Sequence, residues 1–178
     1  MAGKITKNHL ILCGFMGTGK TAVGKILAAR LGRSFVDTDS LIEQQAGSAI
    51  AEIFETRGES YFRDLETEVI RGLLAVRPGS LVVATGGGAL IRAENRQLLQ
   101  KMGSLILLTA LTRAIIRRTN NQGRRPLLSG SEDPKQTIEA LLAERARFYE
   151  TCDFKFDTTG KTVNTVATEI ISKLDLKK

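Results

Sequence analysis

Short apolar runs alternate with amphipathic stretches along this chain, and the alternation predicts an α/β fold. The apolar runs predict strands at His9–Cys13, Ser34–Val36, Leu81–Ala84, Ser104–Leu108 and Phe154–Phe156. Because these strands are short and mostly apolar, we expect a parallel sheet that helices cover on both faces. Ligands of such folds bind beyond the carboxyl ends of the strands, so a functional site is expected at that edge of the sheet.

Helices are predicted between the strands, where apolar residues recur at helical spacing. They are Thr21–Leu31, two or three segments between about Ser40 and about Val76, Ala93–Met102, Arg113–Thr119, Pro134–Glu150 and Val163–Leu174. The stretch Asn120–Gly130 is rich in Asn, Gly, Arg and Ser, and this composition predicts a mobile loop.

The composition is that of an ordinary globular protein. The chain has 178 residues, of which 42% are hydrophobic and 25% are charged, so we expect a single domain over residues 1–178. No apolar run reaches the roughly 18 residues of a membrane span, and the polar N-terminus does not resemble a secretory signal. Cys13 and Cys152 are far apart in sequence, and with one His they predict neither a zinc cluster nor a disulfide framework. We therefore expect a reduced, cytoplasmic, monomeric enzyme in which Cys13 is a small core residue.

The formal net charge of +7 raises the question of nucleic-acid binding. The arginines are dispersed along the chain, and no RNA- or DNA-binding motif accompanies them. A positive site that attracts ATP and an acidic substrate explains the sign equally well, so no nucleic-acid partner is expected. For most of the lysines, a basic solvated surface is a sufficient explanation.

A glycine-rich motif follows the first predicted strand and begins the first predicted helix. Residues Gly14–Thr21 match GxxxxGK[ST], in which backbone N–H groups and the helix N-terminus bind phosphates. Lys20 is placed to reach the β- and γ-phosphates, and the Thr21 hydroxyl is placed to bind Mg²⁺. The predicted ATP contacts are Gly17, Thr18, Gly19, Lys20, Thr21 and Ala22. A tight turn with a chance Lys-Thr pair is the alternative, but motif and context agree, and the absence of a guanine-binding NKxD motif favours ATP.

Two acidic residues, Asp37 and Asp39, follow the second predicted strand. On an extended segment their side chains would point to the same side, where one could hold Mg²⁺ through water and the other could accept a proton from a substrate hydroxyl. The alternative is that Asp39 caps the next helix. No Walker B aspartate ends the third strand, where Ala84 and Thr85 stand, so Asp37 is the best candidate for the acidic metal partner.

Three consecutive glycines, Gly86, Gly87 and Gly88, follow the third predicted strand. Glycines lose much conformational entropy on folding, which suggests that the backbone here closely approaches a ligand or another part of the chain. A tight turn between strand and helix is the alternative. Near a phosphate-binding loop, contact with substrate or phosphate is the favoured interpretation.

Arginines supply candidate anion contacts, because guanidinium groups bind carboxylates and phosphates in bidentate fashion. For Arg63 and Arg145 taken singly, a solvated helix face with a partner such as Glu66 is the commoner explanation. The basic segment Arg117–Leu128 could instead close over ATP as a lid and bring a guanidinium to the transferred phosphoryl group. A flexible basic surface loop is the alternative for that segment.

Several motifs in order, GFMGTGKT, FVDTD, YFRDLE, ATGGGA, GRRPLL and RARFY, resemble those of shikimate kinases. The resemblance extends from about His9 to about Ser172. It implies a three-layer α/β/α P-loop fold with a five-stranded parallel sheet of order 2-3-1-4-5. It also implies phosphate transfer from ATP to the 3-hydroxyl of shikimate, a substrate-binding segment at about 38–66 and a lid at about 119–130.

The resemblance assigns the substrate and metal residues as well. Asp39 would bind shikimate hydroxyls and act as the base, while Arg63 and Arg145 would clamp the shikimate carboxylate. The backbone of Gly86, Gly87 and Gly88 would assist. Thr21 would bind Mg²⁺ directly and Asp37 would bind it through water.

On the nucleotide side, the resemblance implies that Arg125 reaches the phosphates and is catalytic together with Lys20 and Asp39. Arg118 would stack on adenine, and Lys161 would lie near it. Arg124 stands beside Arg125, and the residue before proline fits the catalytic role best.

Two other classes of function stay open at this point. Another small-molecule kinase, for gluconate or a nucleoside monophosphate, would share the P-loop but would not explain the acidic pair and both arginine motifs. A non-catalytic ATP-binding or nucleic-acid-binding regulator would not need Lys20, Asp39 and Arg125 together. We therefore expect ATP and shikimate as partners, with no membrane association.

Overall fold

A computed structural model describes residues 8–119 and 133–176 of the chain. Five strands form one sheet of order β2-β3-β1-β4-β5, and every neighbouring pair is parallel. The predicted order 2-3-1-4-5 is therefore confirmed. The strands are β1 His9–Cys13, β2 Ser34–Asp37, β3 Leu81–Ala84, β4 Gly103–Thr109 and β5 Phe154–Asp157.

Helices connect the strands, and most bounds agree with the sequence prediction to within one or two residues. They are α1 Lys20–Leu31, α2 Thr38–Ala46, α3 Ile50–Leu73, α4 Ala93–Met102, α5 Thr112–Thr119, α6 Pro134–Tyr149 and α7 Val163–Lys173. The predicted mobile loop, with Arg124 and Arg125, lies outside the described residues.

The sheet is covered on both faces because alternate strand residues point to opposite sides. On one face, Leu10 and Leu12 of β1 pack into a core cluster that includes residues of α1 and α7. On the other face, Ile11 and Cys13 pack into a cluster that includes residues of α3 and α4. Cys13 is fully buried, which confirms it as a core residue.

The register of the strands brings three loops to one edge of the sheet. Leu12 of β1 and Asp37 of β2 are both aligned with Ala84, the last residue of β3. Residues that follow these three strands therefore lie side by side. Within the two described ranges, no helix combines the length and apolarity that crossing a membrane requires.

Candidate active site

The P-loop connects β1 to α1 as an open cradle. Gly17 and Gly19 have positive φ angles of 75° and 96°, which side-chain-bearing residues rarely adopt. Gly19 is the N-cap of α1 and supplies no side-chain cap, so the partial positive charge of this helix end is directed at the loop. This is the arrangement in which helix N-termini bind phosphate groups.

The side chain of Lys20 folds back over the loop that precedes it. Its Nζ donates hydrogen bonds to the carbonyl oxygens of Gly14 and Phe15, at 2.9 and 3.0 Å. The Thr18 hydroxyl donates to the same Phe15 carbonyl at 2.7 Å. The ammonium is thus held within the phosphate-binding loop by backbone carbonyls.

Asp37 joins the P-loop to the start of α2. Its Oδ2 accepts a hydrogen bond from the Thr21 hydroxyl at 2.8 Å, and its Oδ1 accepts one from the backbone N–H of Asp39 at 3.1 Å. Asp37, and not Asp39, is therefore the N-cap of α2. The predicted extended Asp-Thr-Asp segment is wrong: this cap lets the helix begin at Thr38, which places Asp39 in the first helical turn.

A cavity of about 310 Å³ lies beside the P-loop and brings together residues that the sequence could not place relative to one another. Asp39, Arg63, Arg145 and the three glycines all line it. Arg63 comes from α3 and Arg145 from α6, and both are buried although they carry charge. Two guanidinium groups in one small cavity make it suited to an anion such as a carboxylate.

Each arginine is held by specific contacts. Arg63 donates from Nη1 to Glu66 at 3.1 Å and from Nη2 to Glu59 at 2.8 Å. Arg145 donates to the Gly87 carbonyl at 3.3 Å, and its guanidinium lies 5.3 Å from the centre of the Phe15 ring. Burial alone would lower the pKa of Arg63, but the carboxylates of Glu66 and Glu59 raise it above its ordinary value.

Glu66 is a site residue whose position the sequence did not reveal. The ion pair that the i,i+3 spacing of Arg63 and Glu66 suggests is present, but Glu66 is completely buried, so the expected solvated face is wrong. Its Oε2 accepts hydrogen bonds from Arg63 and from Asn95, whereas Oε1 is buried with no hydrogen-bond partner. Burial raises the pKa of Glu66, the charge of Arg63 opposes this rise, and the nearby Asp39 adds to it.

The triple glycine leaves room for charged side chains of the chain itself. A Cβ atom on Gly86 would lie 2.7 Å from Oδ1 of Asp39 and 2.8 Å from Oε1 of Glu66. A Cβ atom on Gly88 would lie 2.7 Å from both terminal nitrogens of Arg63. The close approach predicted for these glycines is therefore made to the side chains that line the cavity.

An apolar wall completes the same cavity. Met16, Ile50, Phe54 and Phe62 line it, and the rings of Phe54 and Phe62 have centroids 4.9 Å apart. Apolar residues look the same in a sequence whether they face the core or a ligand, so these four were not predicted as site residues.

A second cavity of about 650 Å³ lies along the P-loop. It is lined by the six residues in and next to the P-loop motif that were predicted to contact ATP, namely Gly17, Thr18, Gly19, Lys20, Thr21 and Ala22. Asp37, Arg118 and Lys161 line it as well, and Lys161 forms an ion pair with Glu169 at 2.7 Å. Asp39 and Met16 border both cavities, so the acidic side chain lies at the boundary between them.

Known proteins resemble this chain over nearly its whole length. The family model described as shikimate kinase matches residues 16–175. A shikimate kinase of Geobacter sulfurreducens is 48% identical over 162 residues, which are 91% of this chain and 88% of that protein. A shikimate kinase of Geobacter metallireducens is 46% identical over 167 residues, which are 94% and 92% of the two chains. The solved structure of a shikimate kinase from Acinetobacter baumannii in complex with shikimate is 37% identical, with a TM-score of 0.90 and coverage of 96% of this chain and 94% of that one.

Proposed function

This chain belongs to the shikimate kinase family, and from that premise we propose that its two cavities divide one phosphoryl transfer between them. The chain phosphorylates shikimate with ATP. ATP occupies the cavity along the P-loop, and shikimate occupies the cavity of about 310 Å³. The observation that supports this division is the position of Asp39, which borders both cavities.

Shikimate is held by its carboxylate and by its ring. Arg63 and Arg145 bind the carboxylate, with the backbone of Gly86, Gly87 and Gly88 beside them. Because Glu59 and Glu66 already hold Arg63, little side-chain entropy is lost when the anion binds. The apolar wall of Phe54 and Phe62 packs on the ring and leaves the hydroxyl groups directed at Asp39.

The transfer takes place at the boundary between the cavities. Asp39 orients the 3-hydroxyl and accepts its proton while the oxygen attacks the γ-phosphorus of ATP. The bond from the γ-phosphorus to the bridging oxygen breaks, and ADP leaves. Lys20 stabilises the charge on the phosphoryl oxygens, and Arg125, outside the described residues, is the third catalytic residue.

Thr21 and Asp37 are suited to Mg²⁺. The Thr21 hydroxyl and an Asp37 carboxylate oxygen lie 2.8 Å apart beside the P-loop, and hard oxygen donors of this kind are the ligands that Mg²⁺ prefers. Within residues 8–119 and 133–176 there is no group of three or more His, Cys, Asp or Glu side chains that could hold a metal ion. That is expected where phosphates and water complete the coordination, and the bound ion supplies charge neutralisation for the phosphates.

The remaining predictions come from the composition of the chain and from its resemblance to the family. The same proposal includes a monomeric state, a cytoplasmic location and the absence of nucleic-acid binding. It also includes stacking of Arg118 on adenine and a position of Lys161 near adenine. Light scattering checks the monomeric state, and titration with oligonucleotides at low salt checks the absence of nucleic-acid binding.

A substrate screen and one pair of variants test shikimate as the substrate and Asp39 as the base. ADP release is measured with shikimate, gluconate and nucleoside monophosphates, and only shikimate is expected to stimulate it.

Asp39→Asn is expected to lower shikimate-dependent turnover about 10²- to 10⁴-fold, the range typical of a general base, while ATP still binds. Asp64→Asn is the matched control, because Asp64 is an exposed residue of α3 paired with Arg92 outside the cavity. Stimulation by gluconate, or normal turnover in Asp39→Asn, would overturn the assignment.

A further inference from the structure

The C-terminal end of α5 is hydrogen-bonded to the P-loop at Gly17. Nη1 of Arg118 donates a hydrogen bond to the Gly17 carbonyl at 3.1 Å. The same helix end packs on Gly17, where a Cβ atom would lie 3.0 Å from Cγ2 of Thr119 and 3.3 Å from the Ile115 carbonyl. Gly17 is therefore enclosed by α5 in addition to having a left-handed backbone conformation.

The same guanidinium is also hydrogen-bonded to the loop between β5 and α7. Nη1 donates to the Thr158 hydroxyl at 2.9 Å, and Nη2 donates to the Thr158 carbonyl at 2.8 Å. Thr158 is itself fixed to the end of β4, because its N–H and its hydroxyl both donate to the Thr109 carbonyl, at 2.9 and 3.0 Å. Arg118 thus links the P-loop to a rigid point at the edge of the sheet.

We propose that Arg118 is a positioning residue that orients the Gly17 peptide of the phosphate cradle through this link to Thr158. In a planar trans peptide the carbonyl oxygen and the following N–H point in opposite directions. Arg118 holds the Gly17 carbonyl, and on the opposite side of the same peptide the Thr18 N–H donates to the Phe15 carbonyl at 3.4 Å. The peptide is thus held on both sides within the loop that surrounds the phosphates. The hydrogen bonds use the edge of the guanidinium and not its face, so they are compatible with stacking of the face on a nucleobase.

Tripolyphosphate separates the two roles, because it carries the phosphates of ATP without the base. In calorimetric titrations, Arg118→Met should weaken tripolyphosphate binding by about tenfold, as expected for loss of a hydrogen bond to a charged group. ATP binding should weaken at least as much, because ATP also loses the stacking contact. Arg113→Met is the matched control, because it removes the same charge from an exposed residue on α5 outside both cavities and should change both affinities less than about twofold. A variant Arg118→Met that binds ATP weakly but tripolyphosphate normally would overturn the positioning role.

A conservative variant tests whether geometry or charge matters. Arg118→Lys keeps the charge but cannot bridge Gly17 and Thr158, so it should bind tripolyphosphate as weakly as Arg118→Met. Full recovery of tripolyphosphate binding in Arg118→Lys would overturn the proposal. If Arg118→Met does not fold, as judged by a thermal melt, Thr158→Val is the alternative variant, because it removes one of the three acceptors of Arg118. It should weaken tripolyphosphate binding about threefold. Unchanged binding would count against the link.

Our inference rests on the proposed function only for the identity of the nucleotide as ligand. Shikimate-stimulated ADP release by the unmodified protein tests the proposed function separately. If that stimulation is absent while Arg118→Met still weakens tripolyphosphate, only the proposed function fails.

Discussion

Alanine at Gly88 is expected to damage shikimate binding through a single added methyl group. The new Cβ atom would lie 2.7 Å from both terminal nitrogens of Arg63 and 3.0 Å from its Cζ. The φ angle of Gly88 is not in the left-handed region, so alanine brings no backbone strain of its own. The effect of the substitution is therefore confined to the space that the Arg63 guanidinium occupies.

The size of the displacement follows from the contact distances. Ordinary contacts of a Cβ atom begin at 3.4 Å, so the guanidinium must retreat by roughly 0.7 Å, and its ion pairs with Glu59 and Glu66 resist the movement. Loss of one good hydrogen bond to a charged group costs about 1.5–3 kcal/mol, and each 1.4 kcal/mol is tenfold in affinity. We expect the KM for shikimate to rise about 10- to 100-fold, while kcat falls less, because Arg63 lies at the carboxylate and not at the reacting hydroxyl.

The neighbouring glycines make the experiment a matched series. In Gly86→Ala the methyl group would press on Asp39 at 2.7 Å, so kcat should fall more than the KM for shikimate rises. In Gly87→Ala the nearest atom is the Met16 nitrogen at 3.3 Å, and a shift of a few tenths of an ångström relieves the contact. That variant should be the mildest of the three.

Steady-state ADP release, with shikimate and ATP varied separately, distinguishes these outcomes. The KM for ATP should stay within about twofold in Gly88→Ala, because the nucleotide occupies the other cavity. A normal KM for shikimate in Gly88→Ala, in a protein that melts at the same temperature as the original, would refute the position given to Arg63. Equal losses in all three variants would indicate general disruption of the loop instead.

Two further substitutions test the metal partner and the buried acid. Asp37→Asn keeps an N-cap acceptor for α2 but removes the charge beside Thr21. The Mg²⁺ concentration for half-maximal turnover should therefore rise about tenfold. An unchanged Mg²⁺ requirement would contradict a metal role for Asp37. Burial raises the pKa of Glu66 in the folded state above its ordinary 4.5. At pH values between the unfolded and folded pKa, the native state therefore binds more protons than the unfolded state. The free energy of unfolding then falls as pH rises through this range. Glu66→Gln removes this pH dependence. In urea titrations, the free energy of unfolding of the variant should therefore rise relative to that of the original protein as pH rises. A difference that does not change with pH would contradict the raised pKa of Glu66.

Local patterns predict the strands and the P-loop well because each depends on residues close in sequence. The order of the sheet pairs residues as distant as Leu10 and Val82, and its prediction came from the family resemblance. The start of α2 was misplaced because a single side-chain hydrogen bond from Asp37 decides it, and a cap is invisible to periodicity. Arg63 and Arg145 belong to helices that are distant in sequence, and only the tertiary packing of α3 and α6 brings both into one cavity. The burial of Glu66 depends on the same packing, so an exposed ion pair was the reasonable expectation.

The shape of the substrate cavity depends on a bend in α3. Residues eight positions apart in a straight helix are separated by about 12 Å along its axis, yet the rings of Phe54 and Phe62 have centroids only 4.9 Å apart. Gly58, between them, has φ and ψ of 80° and 170°, which interrupts the helix and turns its first part relative to its second. Because Phe54 precedes this bend and Phe62, Arg63 and Glu66 follow it, both the apolar wall and the carboxylate-binding side of the cavity depend on the angle at Gly58. A glycine that lines neither cavity therefore helps to set the distance between the two surfaces that hold shikimate.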